Sequence, residues 1–349
     1  MKSLLRFLSP FAPDQSGAVS VIYELGGLIV ICDAGGCTGN ICGFDEPRWF
    51  QRKSAVFSAG LRDMDAILGR DDKLIEKLKT AAEQLNPKFT ALIGTPVPAV
   101  IATDFRALKR MSEKKTGLPA LTVEANGVDY YDVGEERVML ELFRTLATEK
   151  YDVDESCIGV LGVTPLEFSC LDADKRISKC IDGSGSKNVV CYGMGSGLED
   201  VRNASKAKIN YVVAPSAIKT AEYLKSKFGT PYEIRCPYIP ESVCSRITDL
   251  GGKKVLVIHQ QIIANGVRDV ICSRCDADVT VASWFMMDKS MMQSTDFHLD
   301  DEEQFAEAVY SGGYDVIIAD DHLTRALRDY NGEVIDFPHF AVSGRMENQ

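Results

Sequence analysis

The sequence has no apolar run that approaches the roughly 20 residues needed to cross a bilayer as a helix. It has no excess of basic residues either, since 39 Lys and Arg stand against 50 Asp and Glu, for a net charge of −11. These absences argue against a membrane protein and against binding to nucleic acid or an anionic membrane surface. The apolar stretch at the N-terminus is interrupted by Arg6 and Pro10. It therefore does not suggest a signal peptide, and the cytoplasm is the expected location.

Several chemical motifs are also missing. No Walker A sequence is present, so any use of ATP has to come from a partner. Cys272 and Cys275 have metal-ligand spacing, but no second pair follows, which makes a zinc site a weak hypothesis. The stretch GMGSG (193–197) lacks the full G-x-G-x-x-G spacing, so a tight turn is favoured over a phosphate site.

The pattern of apolar segments predicts the fold. A chain of 349 residues is too long for one hydrophobic core. Short β-rich apolar runs alternate with amphipathic segments, which is typical of parallel sheets flanked by helices. We therefore predict an α/β fold of three Rossmann-like domains with parallel sheets flanked by helices, over residues 1–150, 151–250 and 251–349.

The chain is rich in cysteine, with eleven in total. Most of them lie in apolar strands or helices and are interpreted as small buried hydrophobic residues. Three differ, because Cys32, Cys37 and Cys42 occur at even intervals in the glycine-rich stretch GGLIVICDAGGCTGNICGF (26–44). Thiolates that converge from loops are the usual ligands of iron–sulfur clusters. An iron–sulfur site at this turn is therefore the first hypothesis.

Several stretches resemble the nitrogenase component 1 family of oxidoreductases. GGLIVICDAGGC (26–37), followed by RDMDAILGRDDKLIEKL (62–78), is similar to the family's Gly-Cys at the end of the first strand region and the segment after it. Residues 86–108 resemble another family motif, and residues 194–232 and 314–344 look like the family's second and third domains. The four similarities occur in the family's order, in a chain shorter than the true nitrogenase subunits.

The resemblance implies a homodimer, or a heterodimer with a paralogous subunit, that holds an iron–sulfur cluster, expected to be [4Fe–4S], between its chains. Such a protein takes electrons from a separate P-loop, ATP-dependent iron–sulfur reductase and passes them to a substrate. Cys37 occupies the family's Gly-Cys ligand position. Gly35 and Gly36, just before it, let the backbone approach a bulky cofactor closely.

Two further ligand positions of the family carry no cysteine, since they fall near Ser9 and at Pro96. Cys32 and Cys42 have no strict counterpart in the family. The C-x4-C-x4-C turn either supplies three thiolates to one cluster or meets a second such turn across a dimer axis. Cys42 is the better second ligand because Cys32 ends an apolar strand that can point it into the core. The alternative is a cluster-free remnant with no ligand role for Cys37 or its neighbours.

The family's cofactor site is also altered. Its cysteine position falls at Ala214, and its histidine position falls at or beside Pro338, with His339 one residue away. Reduction of dinitrogen is therefore not expected. His339 is the candidate catalytic proton donor to a substrate bound between domains, because histidine titrates near neutral pH. The alternative is a structural, hydrogen-bonded histidine.

Three functions remain open from the sequence. The favoured one is an iron–sulfur oxidoreductase subunit that reduces an unidentified substrate. The others are a scaffold or carrier for metallocluster assembly, and a cluster-free protein that binds a small molecule. The segment DEPRW (45–49), after the cysteine turn, is expected either at a dimer or reductase interface or in a solvated loop.

Overall fold

Three parallel sheets flanked by helices form the protein, so the predicted α/β fold is confirmed. The structure, a computed structural model, describes residues 5–183 and 185–347. Within those ranges, no helix combines the length and the apolar character that a bilayer span requires. The boundaries between the three domains stay a prediction.

The first sheet has the strand order β2-β1-β3-β4, and all of its pairs are parallel. This order brings the loops after β1 and β3 together at one edge of the sheet, and the cysteine turn lies there. The strands are β1 (Leu28–Ile31), β2 (Ala55–Ser58), β3 (Thr90–Ile93) and β4 (Ala120–Val123). The helices are α1 (Asp14–Ile22), α2 (Gly36–Asn40), α3 (Asp63–Leu68), α4 (Asp71–Leu85), α5 (Pro96–Val100), α6 (Phe105–Thr116) and α7 (Tyr131–Leu146).

The second sheet is a four-stranded parallel sheet with the order β6-β5-β7-β8. Its strands are β5 (Asp154–Leu161), β6 (Asn188–Tyr192), β7 (Ala207–Val212) and β8 (Tyr232–Ile234). The helices around it are α8 (Pro165–Phe168), α9 (Ala173–Ile181), α10 (Leu198–Arg202), α11 (Ile218–Phe228) and α12 (Glu241–Cys244). The first and second sheets share one continuous hydrophobic core through α1 and α7.

The third sheet has five parallel strands in the order β11-β10-β9-β12-β13. Its strands are β9 (Lys254–Ile258), β10 (Asp278–Ser283), β11 (Phe297–His298), β12 (Val316–Ala319) and β13 (Glu333–Asp336). Its helices are α13 (Gln261–Arg274), α14 (Glu302–Gly312) and α15 (Phe340–Ser343). Between β12 and β13 the chain forms a 3₁₀ turn over Asp321–Ala326.

Helices α1 and α7 cross so closely that no side chain fits between their backbones at the crossing. Helix α1 is buried along its whole length and packs against α7. A Cβ atom at Gly17 would overlap the carbonyl oxygen of Tyr131, and one at Gly134 would overlap that of Asp14. Glycine at both positions is what lets the two backbones approach so closely.

The N-terminal segment packs on the third sheet's domain, although residues 1–150 were predicted as the first domain. Leu8, Phe11 and Ala12 belong to the hydrophobic cluster formed around β9, β10 and β12. The Glu302 carboxylate at the start of α14 accepts hydrogen bonds from the backbone N–H groups of residues 6–8. This crossing is invisible in the sequence because it depends on contacts almost 300 residues apart.

Candidate functional site

The cysteine turn follows β1 and is held from behind by a buried carboxylate. Asp33 accepts hydrogen bonds from the Thr38 backbone N–H at 2.8 Å and from the Thr38 hydroxyl at 3.0 Å. The Ser58 hydroxyl at the end of β2 donates to the same carboxylate at 2.6 Å. Asp33 thereby fixes the start of α2, the short helix that carries Cys37. The sequence reasoning did not single out this aspartate.

Cys37 and Cys42 lie on the same side of the first sheet and are both half-buried. Both pack against the core shared by the first two domains. Burial raises the pKa of the Cys37 thiol, and the neighbouring Asp33 charge raises it further, while a contact with Thr95 lowers it. Burial and Glu46 also raise the pKa of the Cys42 thiol. In the absence of metal, both sulfurs are therefore thiols at neutral pH.

Cys32 is separated from the other two cysteines by the sheet itself. It belongs to the cluster on the opposite face, with Leu74 and Leu78 of α4. Its side chain is fully buried, and burial raises the pKa of its thiol to about 12. Cys32 therefore points into the core, as the sequence had left open. The structure thus brings Cys37 and Cys42 to a common face and leaves Cys32 outside it.

The outer side of the cysteine turn is bare. A Cβ atom added to Gly35, Gly36, Gly39 or Gly43 would meet no atom within 4 Å. Gly35 also has a φ of 120°, a conformation that favours glycine. Phe44 and Phe50 lie beside this surface with 74% and 77% of their areas exposed. A turn with four glycines that face open space, flanked by exposed aromatic rings, leaves space for a bulky group or a second protein chain.

Arg48 anchors the segment that follows the turn, which corrects the expectation that DEPRW is a solvated loop, while an interface at this segment stays a prediction. Glu46 and Arg48 are buried, so they do not form a solvated loop. The Arg48 guanidinium donates to Glu46 at 2.7 Å and to the Ser20 carbonyl of α1 at 2.6 Å. It also donates to the carbonyl of Gly193, in the glycine-rich stretch of the second domain, at 3.1 Å. This arginine ties the cysteine turn to two domains.

An open cleft of about 890 Å³ lies beside the turn. Asn40, Gly43 and Phe44 line one side of it, and the N-terminal segment and α15 line the other. Among the described residues that line it, Asp45 is the one with an ionisable side chain, and burial raises the pKa of its carboxyl. The cleft is therefore mostly apolar and suits a ligand without many anionic groups.

His339 lies at the junction of the three domains, in a closed site. Its ring stacks on His259 with centroids 4.1 Å apart and planes 8° apart. Its Nε2 atom lies 3.0 Å from the hydroxyl of Tyr131 on α7. Burial lowers the pKa of both histidines, so both rings are neutral. A substrate in the open cleft does not reach this imidazole in the present conformation.

Within residues 5–183 and 185–347, one set of three metal-ligating side chains comes close enough to share a single ion. It consists of Asp320, Asp321 and Asp336, near the carboxyl ends of β12 and β13. The guanidinium of Arg345 already contacts all three carboxylates, at 3.0, 2.8 and 2.7 Å. The three carboxylates therefore already have Arg345 as their common cationic partner.

A sequence model described as "Nitrogenase component 1 type Oxidoreductase" matches residues 16–251. The chain belongs to this family. The matched region contains the first two sheets and the cysteine turn, and the third sheet lies beyond it.

Three similar proteins illustrate the range of the family. The nitrogenase iron-molybdenum cofactor biosynthesis protein NifE of Clostridium pasteurianum is 26% identical over 178 residues, which cover 50% of this chain and 38% of that protein. Component CfbD of the Ni-sirohydrochlorin a,c-diamide reductive cyclase complex of Methanothermobacter thermautotrophicus is 29% identical over 124 residues, or 33% and 32% of the two chains. The matches thus span well under half the length of these curated relatives. The solved structure of nitrogenase Cp1 at pH 6.5 superposes with a TM-score of 0.72 and 12% identity, over 97% of this chain and 87% of that one, and supports the fold alone.

Ser9, Pro96 and Ala214 are the positions at which the resemblance implies that a ligand is missing. Pro96 begins α5, directly after Thr95, whose side chain contacts Cys37. Ser9 lines the cleft opposite the turn. Ala214 is fully buried at the end of β7, where it leaves no ligand atom.

Proposed function

We propose that this protein is an iron–sulfur oxidoreductase subunit that takes electrons from a separate P-loop, ATP-dependent reductase and reduces a substrate other than dinitrogen. The observation that carries the proposal is the pair Cys37 and Cys42, both half-buried on a turn that is fixed from behind and bare in front. The absence of cofactor ligands at Ala214 and Pro338 argues against dinitrogen as the substrate. The cytoplasm remains the proposed location.

The donor set fits an iron–sulfur cluster shared between two chains. A cluster such as [4Fe–4S] takes four thiolates. One chain offers Cys37 and Cys42 on a common face, and Cys32 lies on the other side of the sheet. Two chains, identical or paralogous, would together supply the four ligands, and the exposed Phe44 and Phe50 would be covered in the contact. When bound, the cluster would supply one-electron transfer.

This chain's own residues would perform three tasks around the cluster. Asp33 and Arg48 would hold the turn in position, so that Cys37 and Cys42 need little reorganisation to bind iron. The glycines would keep the approach free of side chains. Because the pKa of each thiol is raised, binding would release a proton from Cys37 and from Cys42.

The substrate would bind in the cleft of about 890 Å³ beside the turn. This position is open, mostly apolar and next to the proposed cluster. His339 is the less suitable site, because its imidazole is buried and already hydrogen-bonded to Tyr131. A proton for the reduced substrate would then come from water or from a group at the cleft, and not directly from His339.

A second candidate function is a scaffold or carrier on which a metallocluster is assembled and handed on. The observation in its favour is the similarity to NifE, which is named as a cofactor biosynthesis protein. Both candidates use the same two cysteines. They differ in turnover, because a scaffold would lose its cluster to an acceptor protein and would not catalyse reduction with the reductase.

Anaerobic purification with iron and sulfide analysis tests the cluster. We expect one cluster per two chains, loss of iron in Cys37→Ala and in Cys42→Ala, and unchanged iron in the matched control Cys32→Ala. Oxidation of the cluster by candidate substrates, dependent on reductase and ATP, would favour the oxidoreductase over the scaffold. A colourless protein after reconstitution would refute both readings and leave the cluster-free binding protein.

A further inference from the structure

Two glutamates from different domains meet in a fully enclosed site at the domain junction. Glu135 of α7 accepts hydrogen bonds from the Thr164 hydroxyl at 2.7 Å and from the Ser216 hydroxyl at 3.0 Å. Glu167 of α8 accepts one from the Tyr131 hydroxyl at 3.0 Å. Both glutamate side chains are buried, and Thr164 contacts both residues, because its hydroxyl also accepts from the Glu167 backbone N–H at 3.3 Å. The Glu135 charge acts on the Glu167 carboxyl.

Within the part of the chain that the structure describes, the groups with the strongest effect on the two glutamates carry no positive charge. The groups that act on them most strongly are each other, Asp132, Tyr131 and the two hydroxyls, and none of these is cationic. The histidines nearby, His259 and His339, are neutral because burial lowers their pKa values. Arg137, two residues after Glu135 on α7, pairs instead with Asp14 and Asp129.

One oxygen of the pair identifies where a proton is held. Glu167 Oε1 is buried and has no hydrogen-bond partner, and the Glu135 carboxyl is close enough to act on the Glu167 side chain. Two ionised carboxylates have only acceptors and cannot bond to each other. A hydrogen on Glu167 Oε1 satisfies that oxygen, makes the bond to Glu135 and removes one of two buried negative charges.

We propose that Glu167 carries a proton on Oε1 and donates it to Glu135, and that this shared proton latches the first two domains together at the three-domain junction. The latch extends to the third domain through Tyr131. The Tyr131 hydroxyl has one hydrogen, which it donates to Glu167. Its oxygen therefore accepts a hydrogen bond from Nε2–H of His339. When base removes the proton to solvent, two buried carboxylates face each other and the junction loosens.

The latch makes stability depend on pH in a defined direction. Burial raises the pKa of both glutamates in the folded chain, and the Glu135 charge raises the pKa of Glu167 further. In the unfolded chain an ordinary glutamate ionises near pH 4.3. Above that pH the folded state holds a proton that the unfolded state has lost, so the stability that this pair contributes is fully present below that pH and falls as pH rises towards the folded-state pKa. For one proton the unfolding constant rises up to about tenfold per pH unit.

Infrared spectroscopy of the full-length chain tests the shared proton directly. We expect the wild-type protein at pH 7 to show the carbonyl band of a buried protonated carboxylic acid. The band should weaken in Glu167→Gln and in Glu135→Gln and stay unchanged in Glu222→Gln, a matched control on an exposed position of α11. Denaturant unfolding between pH 5 and 9 should show a shallower fall of stability with pH in either junction variant than in the control.

The outcomes are unambiguous. A wild-type spectrum at pH 7 without the protonated carboxyl band would overturn the proposal, and this measurement needs no variant. A band that persists at full strength in both junction variants would also overturn it. If one variant fails to fold, the other suffices. None of these outcomes depends on whether a cluster binds, so the proposal stands or falls separately from the proposed function.

Discussion

Replacement of Arg48 by methionine tests whether the cysteine turn is fixed by the protein itself. The Arg48 side chain is 5% exposed and binds Glu46, Glu24, Ser20 and the Gly193 carbonyl. Methionine keeps the apolar stem of the arginine and removes the guanidinium. Arg48→Met therefore leaves the Glu46 carboxylate, which is 2% exposed, without its cation.

The expected loss follows from this burial. Removal of one partner from a buried ion pair destabilises a protein by about 3–5 kcal/mol, chiefly because an uncompensated charge is left behind. Arg52 provides a matched comparison, since it binds the same Glu24 at 2.6 Å but is 68% exposed. Glu24 is itself 8% exposed, but it keeps Arg48 as a partner in Arg52→Met. An ion pair with an exposed arginine contributes about 0.2–1 kcal/mol, so Arg52→Met should cost no more than that.

Denaturant unfolding of the full-length chain at a fixed pH measures both losses. The double variant Glu46→Gln with Arg48→Met should recover part of the stability, because the stranded charge is gone. The reasoning is refuted if Arg48→Met costs no more than Arg52→Met, or if the added Glu46→Gln makes the loss larger. Either result would mean that the arginine network does not hold the turn.

Two further predictions concern the backbone crossing and the thiol. Gly17→Ala should lower the free energy of unfolding by about 3 kcal/mol, in the upper part of the range for overpacking, because its Cβ overlaps the Tyr131 carbonyl. Gly183→Ala is the control and should change this free energy little, because the nearest atom to its Cβ is 3.9 Å away. Asp33→Asn should lower the pKa of Cys37, because it removes the charge that disfavours the thiolate. Alkylation of Cys37 at pH 7, followed by mass spectrometry of its peptide, should therefore be faster in Asp33→Asn than in the wild-type protein. An unchanged rate would contradict the effect of the Asp33 charge on the Cys37 thiol.

The sheets could be predicted from the sequence because each strand is a local apolar run. GLIVIC and FTALIG are buried on both faces, as a parallel sheet covered by helices requires. Helix α1 was missed because its sequence DQSGAVSVI has no apolar stripe at helical spacing. It is buried all round, and its polar residues are held by partners distant in the chain, such as Asp45, which accepts from Ser16.

The candidate site was only partly predictable for the same reason. The local spacing predicts Cys37 and Cys42 as candidate ligands. The apolar strand before Cys32 indicates that this cysteine can point into the core instead. The positions of Arg48 and His339 are not predictable, because both are decided by non-local contacts. Arg48 reaches a carbonyl 145 positions away, and His339 meets a tyrosine 208 positions away. A charged residue beside a turn indicates a solvated loop until its buried partners are known.

The contrast between the two sides of the cysteine turn bears on how its thiols would be used. Behind the turn, Asp33 and Arg48 fix the backbone through buried hydrogen bonds, so its shape does not depend on bound metal. In front, the glycines face open space and Phe44 is largely exposed. A structural zinc site has the opposite character, because its loops fold only when the ion binds. A preformed turn with an uncovered front instead favours a cofactor or partner chain that arrives from outside and meets a surface already in position.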